Sequence, residues 1–152
     1  MSTMTTDKIE KEILLKAPRT RVWRALTDSR EFSTWFKATI TQPFVAGTRV
    51  AATLNCGGHD PLAVDFDIER VDPETYFSYR WHPTPDAGMK SNEPMTLVEF
   101  TLLEVDGGTL LKVVESGFDR LPIERRAAAL KGNDSGWTKQ MAAIEAYLGS
   151  AR

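Results

Sequence analysis

The sequence predicts an α+β domain in which a curved, largely antiparallel sheet of about six to seven strands wraps a long C-terminal helix, with two short helices after the first strand. Three observations carry this reading. From Arg49 to Ser116 apolar residues recur with period 2 in short stretches separated by turn signals, the pattern of half-buried antiparallel strands. Near the C-terminus Trp137, Met141, Ile144 and Leu148 follow one another at intervals of four, three and four, which places them on one face of a helix. A sheet with one apolar face needs a cover, and that amphipathic helix is the cover the chain provides.

Residues 1–7 are small and polar without periodicity and are expected to form a disordered tail ahead of one domain spanning 8–149. Lys8 to Lys16 alternates Ile9, Lys11, Ile13 and Leu15 with Glu10, Glu12 and Leu14, a first strand. Pro18 suits the first turn of a helix carrying Val22, Trp23, Ala25 and Leu26, and Asp28 or Ser29 can cap a second with Phe32, Trp35 and Phe36. Arg49 to Asn55 reads as a strand ending in the glycine turn that holds Cys56 and His59. Val64, Phe66 and Ile68 form the buried face of the next. After the Asp72-Pro73-Glu74 turn, Phe77, Tyr79 and Trp81 share one face, and Ser78, Arg80 and His82 share the outward one. A proline-rich loop from Pro83 to Pro94 leads to Val98, Phe100 and Leu102, and the turn Asp106-Gly107-Gly108 feeds Thr109 to Ser116 as a hairpin. Pro122 opens a short helix expected to end near Gly132. Asn133 or Ser135 then caps the last helix, from about Asp134 to Leu148, closed by Gly149.

Composition excludes several functions. A chain of 152 residues buries roughly 68–70% of its unfolded surface and so makes its own core. The single Cys56 rules out an intramolecular disulfide framework or a redox pair. A net charge of -2 without a basic cluster speaks against nucleic acid, and the apolar runs are far too short for a membrane span or a signal peptide, so a cytoplasmic location is expected. The common nucleotide, protease and hydrolase signatures do not occur. Cys56 with His59 lacks an orienting third group and reads as a plain turn. No metal site, cofactor or catalytic residue is assigned.

The surplus is aromatic: four Trp, three Tyr and seven Phe. Trp35, Phe66, Phe77, Tyr79, Trp81, Phe100 and Trp137 come from helices and strands alike and can converge on one interior with Met141, either as core or as the lining of a ligand site. Glu115 departs from its surroundings. Alternation puts it on the face of Leu111 and Val113, where a carboxylate is costly unless bonded. It is read either as a polar anchor for a ligand or as a strand-end side chain that reaches water or an arginine.

The run Ala17-Pro18-Arg19-Thr20-Arg21-Val22-Trp23-Arg24-Ala25-Leu26-Thr27-Asp28, followed by Phe32, Trp35 and Phe36, resembles the opening of bacterial proteins similar to the C-terminal domain of the activator of heat-shock-protein-90 ATPase. Val71-Asp72-Pro73 before Tyr79-Arg80-Trp81, the Ser116-Gly117-Phe118 ending and Gly136-Trp137 extend the resemblance from about Lys8 to Leu148. It implies the START-like, birch-pollen-allergen-like helix-grip fold, with a cavity between sheet and helix. It does not fix the activity, because relatives in that superfamily bind lipids, sterols, flavonoids or polyketides and some are cyclases or hydrolases. Many relatives have a histidine where this chain has Glu115. The eukaryotic co-chaperone carries an additional N-terminal domain.

The reading that follows is non-catalytic binding of an apolar, aromatic or polycyclic small molecule by the rings named above, with Glu115 as anchor. The alternatives are a cyclase- or hydrolase-type enzyme using Glu115 or His59 as acid or base, and a co-chaperone-like, stress-response interaction with a heat-shock ATPase. For the last, the segment Arg120, Arg125, Arg126 and Lys131 is the candidate surface, although Asp119 and Glu124 make it resemble a solvated helix face. The chain is expected to be a monomer or a homodimer.

Overall fold

The computed structural model describes residues 8–55, 62–82 and 94–150. The expected tail at 1–7, the turn with Cys56 and His59, and the proline-rich loop up to residue 93 lie outside the described residues. The elements are β1 (Lys8–Leu15), α1 (Arg19–Thr27), α2 (Ser29–Phe36), β2 (Ala38–Thr39), β3 (Arg49–Leu54), β4 (Leu62–Asp72), β5 (Tyr76–Trp81), β6 (Thr96–Val105), β7 (Gly108–Ser116) and α3 (Ile123–Ser150), with a short 3₁₀ turn at Phe118–Arg120. The seven strands form one antiparallel sheet in the order β1-β7-β6-β5-β4-β3-β2. The α+β helix-grip architecture is therefore as the sequence predicts.

The first and second strands lie at opposite edges of the sheet, so α1 and α2 carry the chain from one edge to the other. Pro18 stands one residue ahead of α1, in extended conformation, and its carbonyl accepts the amides of Arg21 and Val22. Asp28 ends α1 and caps α2, its carboxylate accepting from the amides of Arg30 at 2.9 Å and Glu31 at 3.3 Å. Val22, Ala25, Leu26, Phe32, Trp35 and Phe36 are thereby turned inward. A bulge between Ile68 and Arg70 interrupts the β4–β5 ladder and adds local twist. At the β6–β7 hairpin Gly107 has φ +89, and a Cβ on Gly108 would lie 2.0 Å from the Leu15 carbonyl oxygen. Only glycine lets the end of β1 approach that turn so closely.

The C-terminal third departs from expectation. In place of two helices broken at Gly132-Asn133, α3 is continuous from Ile123 through Ser150, past Gly149. Two physical reasons account for this. A glycine in a helix interior costs only about 1 kcal/mol relative to alanine, which burial of Ala129, Trp137, Met141 and Ile144 readily offsets. Asn133 and Ser135 sit inside the helix and cap nothing; the Asn133 side chain is engaged across the interior instead. The predicted face of Trp137, Met141 and Ile144 is buried and Leu148 half-buried, as the spacing implies. Ser78, placed outward by parity, is also buried. Among the described residues no helix is long and apolar enough to cross a membrane.

Candidate functional site

The strongest feature of the interior is set by register. In β5, β6 and β7, Tyr79 faces Val98 and Val98 faces Glu115, so a carboxylate stands in an otherwise apolar row of the inner sheet face. Glu115 is 0% exposed. It does not reach water, and among the described residues no arginine is paired with it, which corrects the strand-end reading. Among the described residues four side chains donate to it: Trp137 Nε1 to Oε1 at 2.7 Å, Trp81 Nε1 to Oε2 at 2.8 Å, Thr96 Oγ1 to Oε2 at 2.6 Å, and Asn133 Nδ2 to Oε1 and Oε2 at 2.9 and 3.1 Å. A carboxylate is acceptor-only when ionised and has about four lone-pair positions, so these donors occupy it fully. Charge-assisted bonds of this kind compensate the desolvation that isolated burial would impose. The carboxylate thus fastens α3 to β5, β6 and β7 at one point.

Around this point lie the rings that the sequence singled out, and all of them are buried. Trp81 and Trp137 have ring centroids 6.0 Å apart, Phe66 lies 4.6 Å from Tyr79, and Phe100 meets Phe77, Tyr79 and Trp137 at 6.1, 6.2 and 5.7 Å. Trp35 sits at the α2 end, its indole N–H donating 2.8 Å to the Ala25 carbonyl, and joins the others through Phe36. Met141 lines the same core from α3. Phe66, Phe77, Tyr79 and Phe100 present no surface that a water molecule can reach, whether from outside or from an internal void. The space in which the resemblance implies a cavity is therefore filled by side chains at these positions.

Among the described residues one polar atom in this interior is unmatched. The Tyr79 hydroxyl is buried and has no hydrogen-bond partner among the described residues. Burial, reinforced by the Glu115 charge, pushes its pKa well above the ordinary tyrosine value. It therefore remains a neutral donor throughout the physiological range.

Three further residues belong to this site. Thr96 and Asn133 complete the Glu115 network, and Phe44, from the β2–β3 connection, closes the aromatic cluster against Phe32, Phe66 and Phe77 at 5.4, 6.2 and 5.4 Å. Asn133 lies four residues before Trp137 and eight before Met141 on one helical face, a signal that emerges only when the helix is taken as continuous through Gly132. Phe44 follows Pro43 in a segment without periodicity, and nothing in the local pattern marks it.

On its other side Phe44 borders an open cleft of about 650 Å³, lined also by Thr27, Asp28, Ser29, Arg30, Ile40, Thr41 and Pro43. Of the basic segment near α3, Arg126 is committed to the 3₁₀ turn, donating to the carbonyls of Asp119 and Leu121 at 2.8 and 3.0 Å. Among the described residues no group of three or more His, Cys, Asp or Glu side chains is placed to hold a metal.

Comparison with known proteins adds the following. The family model described as "Activator of Hsp90 ATPase homolog 1-like protein" matches residues 16–149. No curated protein gives a match. Among solved structures, DynU16, a putative protein in the dynemicin biosynthetic locus, superposes with TM-score 0.73 at 24% identity over 96% of this chain. That match takes up 48% of DynU16, so the chain spans about half its length. Protein Ms6760 from Mycobacterium smegmatis gives 0.76 at 23% identity, covering 94% of this chain and 91% of that one. The Aha1 dimer from Colwellia psychrerythraea gives 0.69 at 17% identity, covering 91% and 92%. At these identities the structural likenesses speak to fold.

Proposed function

The chain belongs to the activator of Hsp90 ATPase homolog 1-like family, within the START-like helix-grip superfamily, and from that premise we propose that it is a non-catalytic binding protein for an apolar, aromatic or polycyclic small molecule. The observation that carries the reading is the position of Phe44. This one ring is both a wall of the 650 Å³ cleft and the outer layer of the aromatic interior. Swinging it outward would open the cleft onto Phe32, Phe66 and Phe77, the first layer of a packed interior in which Tyr79, Trp81, Phe100, Trp137 and Met141 follow, with Trp35 at its α2 end. The combination of an apolar lining and few polar groups is what small-molecule sites share.

Glu115 supports the non-catalytic form of the reading. A general acid or base needs a free position within reach of the reacting atom, and both oxygens of Glu115 are taken up by Trp81, Thr96, Asn133 and Trp137. Its part is to anchor the two indoles that line the site. Tryptophan fluorescence titrated with a flavonoid, a sterol, a fatty acid and a polycyclic aromatic hydrocarbon tests the proposal. A saturable response to at least one class is expected, with faster association in Phe44→Ala. If none of the four saturates, the proposal is wrong.

A further inference from the structure

The inner face of the sheet is spent on the core, whereas its outer face carries an apolar strip that the fold leaves uncovered. In the sheet order β1-β7-β6, Leu14 stands opposite Leu110 and Leu110 opposite Leu103. Residues directly opposite in antiparallel strands share a face, with Cβ atoms about 4.5–5.5 Å apart, so the three leucines are contiguous. Their chain neighbours Leu15, Leu111 and Leu102 are buried on the inner side. Leu14 is 45% and Leu103 60% exposed, with Leu110 half-buried between them. A single leucine in solvent needs no explanation; a strip across three adjacent strands is the pattern of an interaction surface.

The charges beside the strip point to its occupant. Glu12 and Lys16 lie two residues to either side of Leu14, both exposed, and among the described residues neither has an ion pair. The neighbouring charges are already matched: Glu10 takes Lys8 and Lys112, and Lys11 turns to Asp134. A two-fold axis between two copies, running along the leucine strip and across the strands, sets each leucine on its counterpart. The same rotation reverses position along the strand, so Glu12 of each copy comes over Lys16 of the other. Sheets packed face to face lie about 10 Å apart, a gap that opposed glutamate and lysine side chains can bridge. The surface is thus self-complementary in apolar contact and in charge, as an isologous interface requires. Edge-to-edge pairing of β1 is the poorer arrangement, because Lys8, Glu10, Lys11 and Glu12 guard that edge and Pro18 removes an amide just beyond it.

We infer that the outer face around Leu14, Leu110 and Leu103 is a two-fold, sheet-to-sheet docking surface for a second copy of this chain, with Glu12 of each copy paired to Lys16 of the other. The surface lies on the opposite side of the sheet from the aromatic interior, so the inference is independent of the binding reading. Three leucines a side make a small contact, and the dimer is accordingly weak and concentration-dependent.

Sedimentation velocity over a range of protein concentrations at low ionic strength tests it. The unmodified protein is expected to pass from monomer to dimer as concentration rises. Leu103→Glu, a change at an exposed side chain, is expected to stay monomeric with its near-ultraviolet dichroism unchanged. Glu12→Lys and Lys16→Glu each set like charges against one another across the two-fold and should each weaken association about tenfold. The decisive arm mixes these two variants in equal amounts. One copy then presents two positive charges and the other two negative ones at the facing positions, so the mixture should associate at least as tightly as the unmodified protein. Should Leu103→Glu fold poorly, the charge variants decide alone. A protein that is monomeric at every concentration overturns the inference and leaves the strip to a partner of another kind. A dimer that persists in folded Leu103→Glu, or a mixture no better associated than either charge variant by itself, overturns it as well.

Discussion

Tyr79 and Glu115 stand in the same cross-strand row with Val98 between them, both closed off from solvent, yet among the described residues Glu115 receives hydrogen bonds from four side chains and the Tyr79 hydroxyl makes none. The asymmetry follows from charge. An ionised carboxylate cannot be buried alone, so the fold commits two indoles, a hydroxyl and an amide to it. A phenol hydroxyl left unmatched costs only about 1–3 kcal/mol, which a domain of this size can tolerate.

That difference sets the first expectation. Tyr79→Phe removes an unmatched polar atom at constant ring volume, so unfolding free energy in urea should rise by about 1 kcal/mol. A loss of comparable size would show that the hydroxyl is bonded in solution, by an ordered water.

Glu115 should behave in the opposite way. Glu115→Ala leaves Trp81 Nε1, Trp137 Nε1, Thr96 Oγ1 and the Asn133 amide without their acceptor and opens a cavity, a loss of about 3–5 kcal/mol. Glu115→Gln keeps one acceptor but turns an amide group toward other donors, and should cost less, about 1–3 kcal/mol. Chemical denaturation followed by tryptophan emission measures both. A loss below about 1 kcal/mol for Glu115→Ala would mean that the network does not hold the interior together.

How far the sequence reaches is visible in these same residues. Tyr79, Trp81 and Glu115 were legible because strand parity assigns each to a face, and the inward carboxylate stood out against Leu111 and Val113. Trp137 and Met141 were legible from helical spacing. What parity cannot supply is the partner. That the Glu115 donors are Trp81 and Trp137 depends on sheet order and on where α3 crosses, neither of which is local. Asn133 was hidden by its neighbour Gly132, because Gly followed by Asn resembles a helix end, and only tertiary burial decides for continuity. Phe44 lies in a connection whose conformation is set by what it packs against.

Asn133 allows a direct test of that continuity. Its amide bridges both oxygens of Glu115, so Asn133→Ala should cost about 1–2 kcal/mol with helix content by circular dichroism unchanged. Were Asn133 a cap, helix content would fall instead. Asn133→Asp should cost more than Asn133→Ala, because it sets a second carboxylate against the first. Equal losses for the two variants would contradict the pairing.

The alkaline limb follows from the tyrosines. The chain has three, Tyr76, Tyr79 and Tyr147, and the pKa of each is raised above the ordinary 10.0. In each the first cause is burial; a hydrogen bond to Glu99 adds to it for Tyr76, the Glu115 charge for Tyr79, and a hydrogen bond to Glu31 for Tyr147. A folded pKa above the unfolded one means that the native state holds its protons longer. The stability this confers is complete below pH 10, and it is lost as pH rises from there through the folded values, because the unfolded chain releases protons first. Tyrosinate absorbance should therefore stay low at pH 10 and then rise together with loss of near-ultraviolet dichroism. Tyr79→Phe should flatten the decline of stability above pH 10, since it removes the most deeply buried of the three groups. Titration of all three phenols at the ordinary value in a protein that remains folded would refute the burial on which this expectation rests.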